Sequence, residues 1–243
     1  MIRGRTLALS LLFIASRSSS GLAIRSIAVV NRAEIQRMAE TEDILVPPRE
    51  YGYRAEPFVW PELIGIIEKE NNLAKLSRSI QQQKEYLIYR RELLKGWKSV
   101  YDHILVSKFD FEKRLAPNEL KDEDRNDQLF ESYPPLSEIG EVKKSLKPND
   151  FPYYFAEGIE HWCLWKLCED VTDAEIEEAK EDLQNMHGDV VAYLAWRNPP
   201  HLKSLPDIDH IHILCLRESR TCEKTNGENV WKDQLRTSSL EIY

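Results

Sequence analysis

Apolar positions along the chain change their period about half-way. From Trp60 to about Ser107 they recur every three, four or seven residues. Leu63, Ile66 and Ile67 share one face of WPELIGIIEKENN, and Leu73, Leu76, Ile80, Leu87, Leu94, Tyr101 and Ile104 or Leu105 follow. That spacing predicts helices, with Pro61 at a start where a missing N–H costs nothing and Gly96 marking a kink or break. In the C-terminal half, IEHWCLWKL (159–167), DVVAYLAWR (189–197) and DHIHILCLR (209–217) are short runs of β-branched and aromatic residues, which predict strands. Between the first two lies TDAEIEEAKEDLQNMHG. There Thr172 and Glu175 form a capping box, Gly188 is a stop, and Ile176, Ala179, Leu183 and Met186 make one apolar stripe. The 197–209 link carries three prolines and no helical pattern, so its flanking strands are expected to pair antiparallel. The expected fold class is α+β, with N-terminal helices packed on a small, mostly antiparallel sheet.

The chain divides by texture. Residues 1–33 contain no acidic residue and no lysine, but carry arginine at 3, 5, 17, 25 and 32. Their apolar run, Leu7–Ala15, is shorter than the roughly 20 residues of a membrane span. A signal or organelle-transit segment is expected, with Gly21 and Ala23 as small residues for cleavage. If that segment is not functional, the protein is expected in the cytoplasm. No membrane span is expected in the mature chain. Residues 34–217 read as a single α+β domain, with a helical part (58–108), an exposed connection (112–148) and a sheet part (149–217). Residues 34–59 look irregular, because VPPREYGYRAEP breaks any helix. Residues 218–243 read as a tail.

Composition removes some classes of function. The 243 residues carry a formal net charge of −8, and the pI is near 5.4 with a mean hydropathy of −0.50. Nucleic acid is therefore not an expected partner, since phosphate backbones need a basic surface. Arg78, Lys84, Arg90, Arg91, Lys95 and Lys98 gather on a predicted helix, where a solvated face accounts for them. Four cysteines include no CxxC pair, and Cys163 and Cys215 read as buried thiols.

Candidate chemistry collects beside the three strands. Strand alternation puts His210 and His212 on one face and Ile211 and Ile213 on the other. On the first strand His161, Cys163 and Trp165 share a face, opposite Trp162, Leu164 and Lys166. If the sheet aligns the right faces, His161 meets His210 and His212. Three histidines can hold zinc, but an HxH pair with one remote histidine is a weak pattern, and Asp209 points to the other face. No metal site is expected on these grounds, and no cofactor is named. Work on a phosphate is the alternative, with histidine titrating near neutrality. Asn149, Asn198, Lys203 and Ser204 are available donors, and Asp150 and Lys166 stand beside them. Asn-Asp before a proline and Asn-Pro-Pro are also ordinary turn chemistry.

NDFPYYFAEGIEHWCLWK, followed by YLAWRNPPHLKSLPDIDHIHIL, resembles the family of N-acetylglucosamine-induced protein 1, a domain family of unknown function. The resemblance runs from about Phe58 to Leu216. Asn149-Asp150, Pro152-Tyr153, His161, Trp165-Lys166, Asn198, Lys203-Ser204, His210 and His212 carry it. It implies a link to an amino-sugar response and brings no reaction with it. A shorter similarity, one strand and its leading loop, is to the histidine-triad nucleotide hydrolases and transferases. It implies His212 as nucleophile beside His210, with Leu214 where that family has its third histidine; His161 joins the candidate catalytic set through the aligned faces. Three functions follow as expectations: binding of a phosphorylated small molecule such as a nucleotide or amino-sugar phosphate, phosphoryl or nucleotidyl transfer at His212, or a non-catalytic regulatory or interaction role.

Overall fold

The computed structural model describes residues 31–117 and 129–218. The signal-like segment, apart from its last three residues, and all of the tail beyond Glu218 lie outside the described residues. No helix among the described residues is long and apolar enough to cross a membrane.

Strand β3 (Lys144–Pro148), β4 (Ile159–Lys166), β5 (Val190–Trp196) and β6 (Asp209–Arg217) form one sheet in the order β3-β4-β6-β5, every neighbour antiparallel. Strand β6 therefore lies between β4 and β5, which run in the same direction and are joined across it by helix α5 (Asp173–His187). This is an α+β arrangement, as the pattern implied. Strands β4, β5 and β6 fall within a residue of their predicted limits, because each is a run of β-branched and aromatic residues.

Helix α5 forms where its caps dictate. The Thr172 side chain accepts from the Glu175 N–H, the Glu175 carboxylate accepts from the Thr172 N–H, and Gly188 closes the helix at φ 74°. Only glycine adopts that left-handed backbone without strain. Ala179 and Leu183 pack with Trp162, Leu164, Ile211, Ile213 and Cys215 on one face of the sheet, whereas Met186 is exposed. Replacing the N-cap, Thr172→Ala, should cost about 1 kcal/mol in a urea titration. An unchanged midpoint would count against the capping box as a stabilising element.

The opposite face is covered by the N-terminal half. The predicted helical stretch 73–107 breaks into a 3₁₀ turn (Leu73–Lys75), α3 (Ile80–Gly96) and α4 (Val100–Phe109). Ser79 and Ser99 each cap a new helix, so the apolar period continues while the backbone restarts. Helix α3 ends at Gly96, the break read from the sequence. Helix α2 (Trp60–Ile64) and its π-helical extension Gly65–Lys69 pack Trp60, Leu63, Ile66 and Ile67 against Leu194, Trp196 and Leu214 of the sheet. Helix α4 adds Ile104, Leu105 and Phe109 against Cys163 and Trp165.

Two segments differ from their expected texture. Helix α1 (Arg32–Thr41) occupies the stretch read as irregular; Asn31 caps it, and Ile35 and Ala39 pack on Ile88 of α3. The prolines that suggested irregularity begin only at Pro47, beyond its end. The 112–148 connection, in its described part, holds a two-stranded ribbon of β1 (Glu112–Leu115) and β2 (Phe130–Tyr133), and also β3. Charged residues hid the strands: Glu131 is buried in β2 because Lys98 and Arg114 both pair with it, at 2.8 and 2.9 Å.

Candidate functional site

Register decides which side chains meet. In the β4–β6 ladder Cys163 stands opposite His212, Trp165 opposite His210 and His161 opposite Leu214. In the β5–β6 ladder Trp196 stands opposite His212. Partners in an antiparallel ladder point to the same side. His161, Cys163, Trp165, Trp196, His210 and His212 therefore share the face that the N-terminal helices cover. The three histidines meet, as the faces suggested, but under a roof. His161, His210 and His212 retain 6%, 3% and 7% of their surface.

The hydrogen bonds of this cluster have a direction. The Trp196 indole N–H is a donor only, and it donates to Asn198 Oδ1 at 3.0 Å. The Asn198 amide nitrogen must then donate to His212 Nε2, also at 3.0 Å. That makes His212 Nε2 the acceptor and places the ring proton on Nδ1, 2.9 Å from His161 Nε2. His161 accepts there and carries its own proton on Nδ1, which has no hydrogen-bond partner among the described residues. A polar chain thus runs Trp196, Asn198, His212, His161 and ends on a buried N–H. His210 stands apart from it, donating Nδ1–H to the Ile208 carbonyl at 3.0 Å and stacking on Trp165.

Burial sets the charge state of these rings. His161 is pushed down to about 3, first by desolvation and then by the Arg78 guanidinium. Desolvation likewise holds His212 well below its ordinary value and lowers His210. All three imidazoles are neutral at pH 7. Aromatic rings complete the enclosure: Trp196 stacks on His212 at 5.0 Å and Tyr153 on His161 at 5.7 Å.

The remaining sequence-selected residues fall in three places. Asn149 joins the cluster. Its carbonyl oxygen accepts from the Phe151 N–H at 2.9 Å, which turns the chain, and its amide nitrogen lies 3.4 Å from His161 Nε2. Asp150 is exposed at that turn and pairs with the buried ammonium of Lys108 at 2.7 Å. Lys166 is not brought to the histidines. It projects from the other face of β4, where Glu175 and Glu169 hold it at 3.0 and 3.2 Å. Asn198 and Lys203 border a cleft of ≈ 540 Å³ between the turn 71–74 and the loop 197–203, together with Asn71, Asn72, Arg197 and His201. Ser204 is exposed beyond it. Lys203 and Arg197 share the Asp209 carboxylate, at 2.9 and 3.0 Å.

Several participants escaped the sequence reading. Cys163 lies 3.5 Å from His212 Nδ1, and its period-two spacing from His161 was the available signal. Desolvation pushes its thiol up to about 12. Arg78, Tyr153 and Lys108 reach the cluster through tertiary docking, for which no local pattern exists.

A family described as protein of unknown function (DUF3605) matches residues 59–216. The chain belongs to that family. The matched span coincides with the stretch, about Phe58 to Leu216, on which the resemblance rests, and it contains every residue of the histidine cluster. N-acetylglucosamine-induced protein 1 of Candida albicans is 26% identical over 192 residues, covering 71% of this chain and 74% of the relative. A solved structure, the crystal structure of HTC1, aligns over 74% of this chain and 92% of that one at 19% identity, with a TM-score of 0.39.

Proposed function

We propose that this protein binds a phosphorylated small molecule, of the size of an amino-sugar phosphate or a nucleotide, in the cleft between the turn 71–74 and the loop 197–203. The observation that carries the reading is the position of Asn198: it borders the cleft and also donates to His212. A volume of ≈ 540 Å³ lies within the range of small-molecule sites. Arg197 and Lys203 meet at the Asp209 carboxylate, with Asp170 also 3.9 Å from Arg197, and an incoming phosphate can take over part of this pairing. Asn71 and Asn72 offer amides suited to sugar hydroxyls. Induction of the Candida albicans relative by N-acetylglucosamine is the reason to place amino-sugar phosphates first in any panel.

Binding is favoured over transfer at His212. A nucleophilic imidazole needs a free nitrogen facing phosphorus, whereas both His212 nitrogens are within hydrogen-bond distance of protein partners and the ring is buried.

The test is thermal unfolding of the full chain with N-acetylglucosamine phosphates, UDP-sugars and nucleoside mono- and diphosphates. A ligand at a hundred times its Kd adds about 2.7 kcal/mol, or roughly 5–10 °C for a domain of this size. Lys203→Ala is expected to reduce that shift by at least half. No shift with any compound, in a folded protein, would overturn the reading in favour of a regulatory or interaction role.

A further inference from the structure

Beyond the ligand reading, and independently of it, we propose that His161 Nε2, Cys163 Sγ and His212 Nδ1 form a binding site for one zinc ion. These three atoms all lie within 4.8 Å of one another, on two adjacent strands. The sequence argued against a metal because an HxH pair with one remote histidine is a weak pattern and Asp209 points to the other face. The structure sets a thiol, Cys163, beside His161 and His212, and the group of three close ligand atoms does not include His210.

The spacing is close to that of a tetrahedral site. Zinc takes nitrogen at about 2.0–2.1 Å and thiolate sulfur at about 2.3 Å. Two such ligands at a tetrahedral angle stand about 3.3 Å apart for a nitrogen pair and about 3.6 Å apart for nitrogen and sulfur. The observed separations are 2.9 Å between the two ring nitrogens and 3.5 Å between Sγ and His212 Nδ1. The sulfur is therefore at its distance from His212 Nδ1 already, and it lies within 4.8 Å of the His161 nitrogen. The nitrogens must part by a few tenths of an ångström, which exchanges their mutual hydrogen bond for two metal bonds. One sulfur with two imidazoles is a zinc-type donor set, and it leaves a fourth position open beside Asn149.

The proton balance is simple. Cys163 gives its thiol proton to solvent and becomes the thiolate ligand. His161 Nε2 already carries a lone pair. His212 must move its proton from Nδ1 to Nε2, and no group is oxidised or reduced. Burial already keeps both rings neutral, the form that ligates. The obstacle is Asn198, whose amide nitrogen faces His212 Nε2. It must turn its oxygen to the new N–H and give up the bond from Trp196. A carboxylate at this position has no such conflict, because its two oxygens accept from Trp196 and from His212 together. Such a partner behind a metal-bound histidine typically changes affinity by about 10–100-fold.

The experiment uses cobalt(II) as the spectroscopic stand-in for zinc, titrated into the full chain after treatment with a chelator, in anaerobic buffer. One equivalent should produce a thiolate-to-cobalt charge-transfer band and tetrahedral visible bands, both abolished by excess zinc. Cys163→Ser should lose the charge-transfer band. Cys215→Ser, which changes a buried thiol on the other sheet face, should keep it. Asn198→Asp retains all three ligands and should bind at least about tenfold more tightly. Absence of the band in folded wild-type protein would overturn the site, as would its survival in Cys163→Ser. If Cys163→Ser does not fold, the Asn198→Asp titration decides, and unchanged or weaker affinity there overturns the site. None of these readouts uses the cleft or its ligand, so failure of the metal site and failure of the ligand reading are separable.

Discussion

Lowering the pH from 7 to 5 should destabilise this protein by at least about 2 kcal/mol, well before most carboxylates titrate. His161 has an ordinary value of 6.5 and is pushed down to about 3 in the folded protein. Between those values the unfolded chain binds the proton and the folded chain does not, so acid favours unfolding. The stability associated with the neutral ring is complete above pH 6.5 and is lost as pH falls towards 3. Each imidazole in this condition costs about 1.4 kcal/mol per pH unit. One and a half units below 6.5 is therefore about 2 kcal/mol from His161, and His212, held down by the same burial, acts in the same direction. Carboxylates enter later. Glu175 is held down to about 2, first by the Thr172 N–H, and its stabilisation is lost only from about pH 4.5 downwards. Urea titrations at pH 7, 6 and 5 with a chelator present measure the effect directly. A midpoint that does not move across this range would mean that the rings take up protons in the folded protein as readily as in the unfolded chain.

Removing the Asn198 side chain should be the most damaging conservative change in the cluster. Asn198→Ala leaves the Trp196 indole N–H without its acceptor and His212 Nε2 without its donor, both inside a buried site. Each orphaned group costs about 1–3 kcal/mol, so a loss of about 2–5 kcal/mol is expected from urea unfolding at pH 7. Asn198→Asp gives a different result. Its carboxylate still accepts from Trp196 and now requires a proton on His212 Nε2, which reverses the chain: His161 then donates from Nε2 and its Nδ1 becomes a lone pair. The Asp variant should therefore be more stable than the Ala variant, and its advantage should widen from pH 7 to pH 6 as the carboxylate helps His212 to charge. Equal losses in both variants at both pH values would show that the chain of bonds does not hold the cluster.

How far the sequence revealed these features follows from which forces are local. Strands β4, β5 and β6 could be read because each is a run of seven to nine residues rich in β-branched and aromatic side chains, too short for most helices. Helix α5 was readable from Thr172, Glu175 and Gly188, whose caps act within one turn. The shared face of His161, Cys163, His210 and His212 was also legible, since period two alone dictates it once the register is known. The same parity had already placed Lys166 on the opposite face, where it serves Glu175. Burial was not legible. Whether a histidine face looks at solvent or at a helix depends on what docks there, and α2 and α4 are distant in sequence from the strands they cover. Strands β1, β2 and β3 were missed for a related reason. Their charged residues read as solvated, whereas Glu131 is buried through ion pairs with Lys98 and Arg114, on separate elements.

The central claim is that a directed chain of neutral imidazoles lies beneath the cleft, linked to it by Asn198. Nitrogen-15 NMR of the imidazole side chains, recorded on the full chain at pH 7 with a chelator present and assigned with His161 and His212 variants, tests it most directly. The expected spectrum has both rings neutral and protonated on Nδ1, with the two Nε2 nitrogens showing the shifts of hydrogen-bonded acceptors. A charged ring at either position, or a His212 protonated on Nε2, would contradict the chain and with it the role given to Asn198.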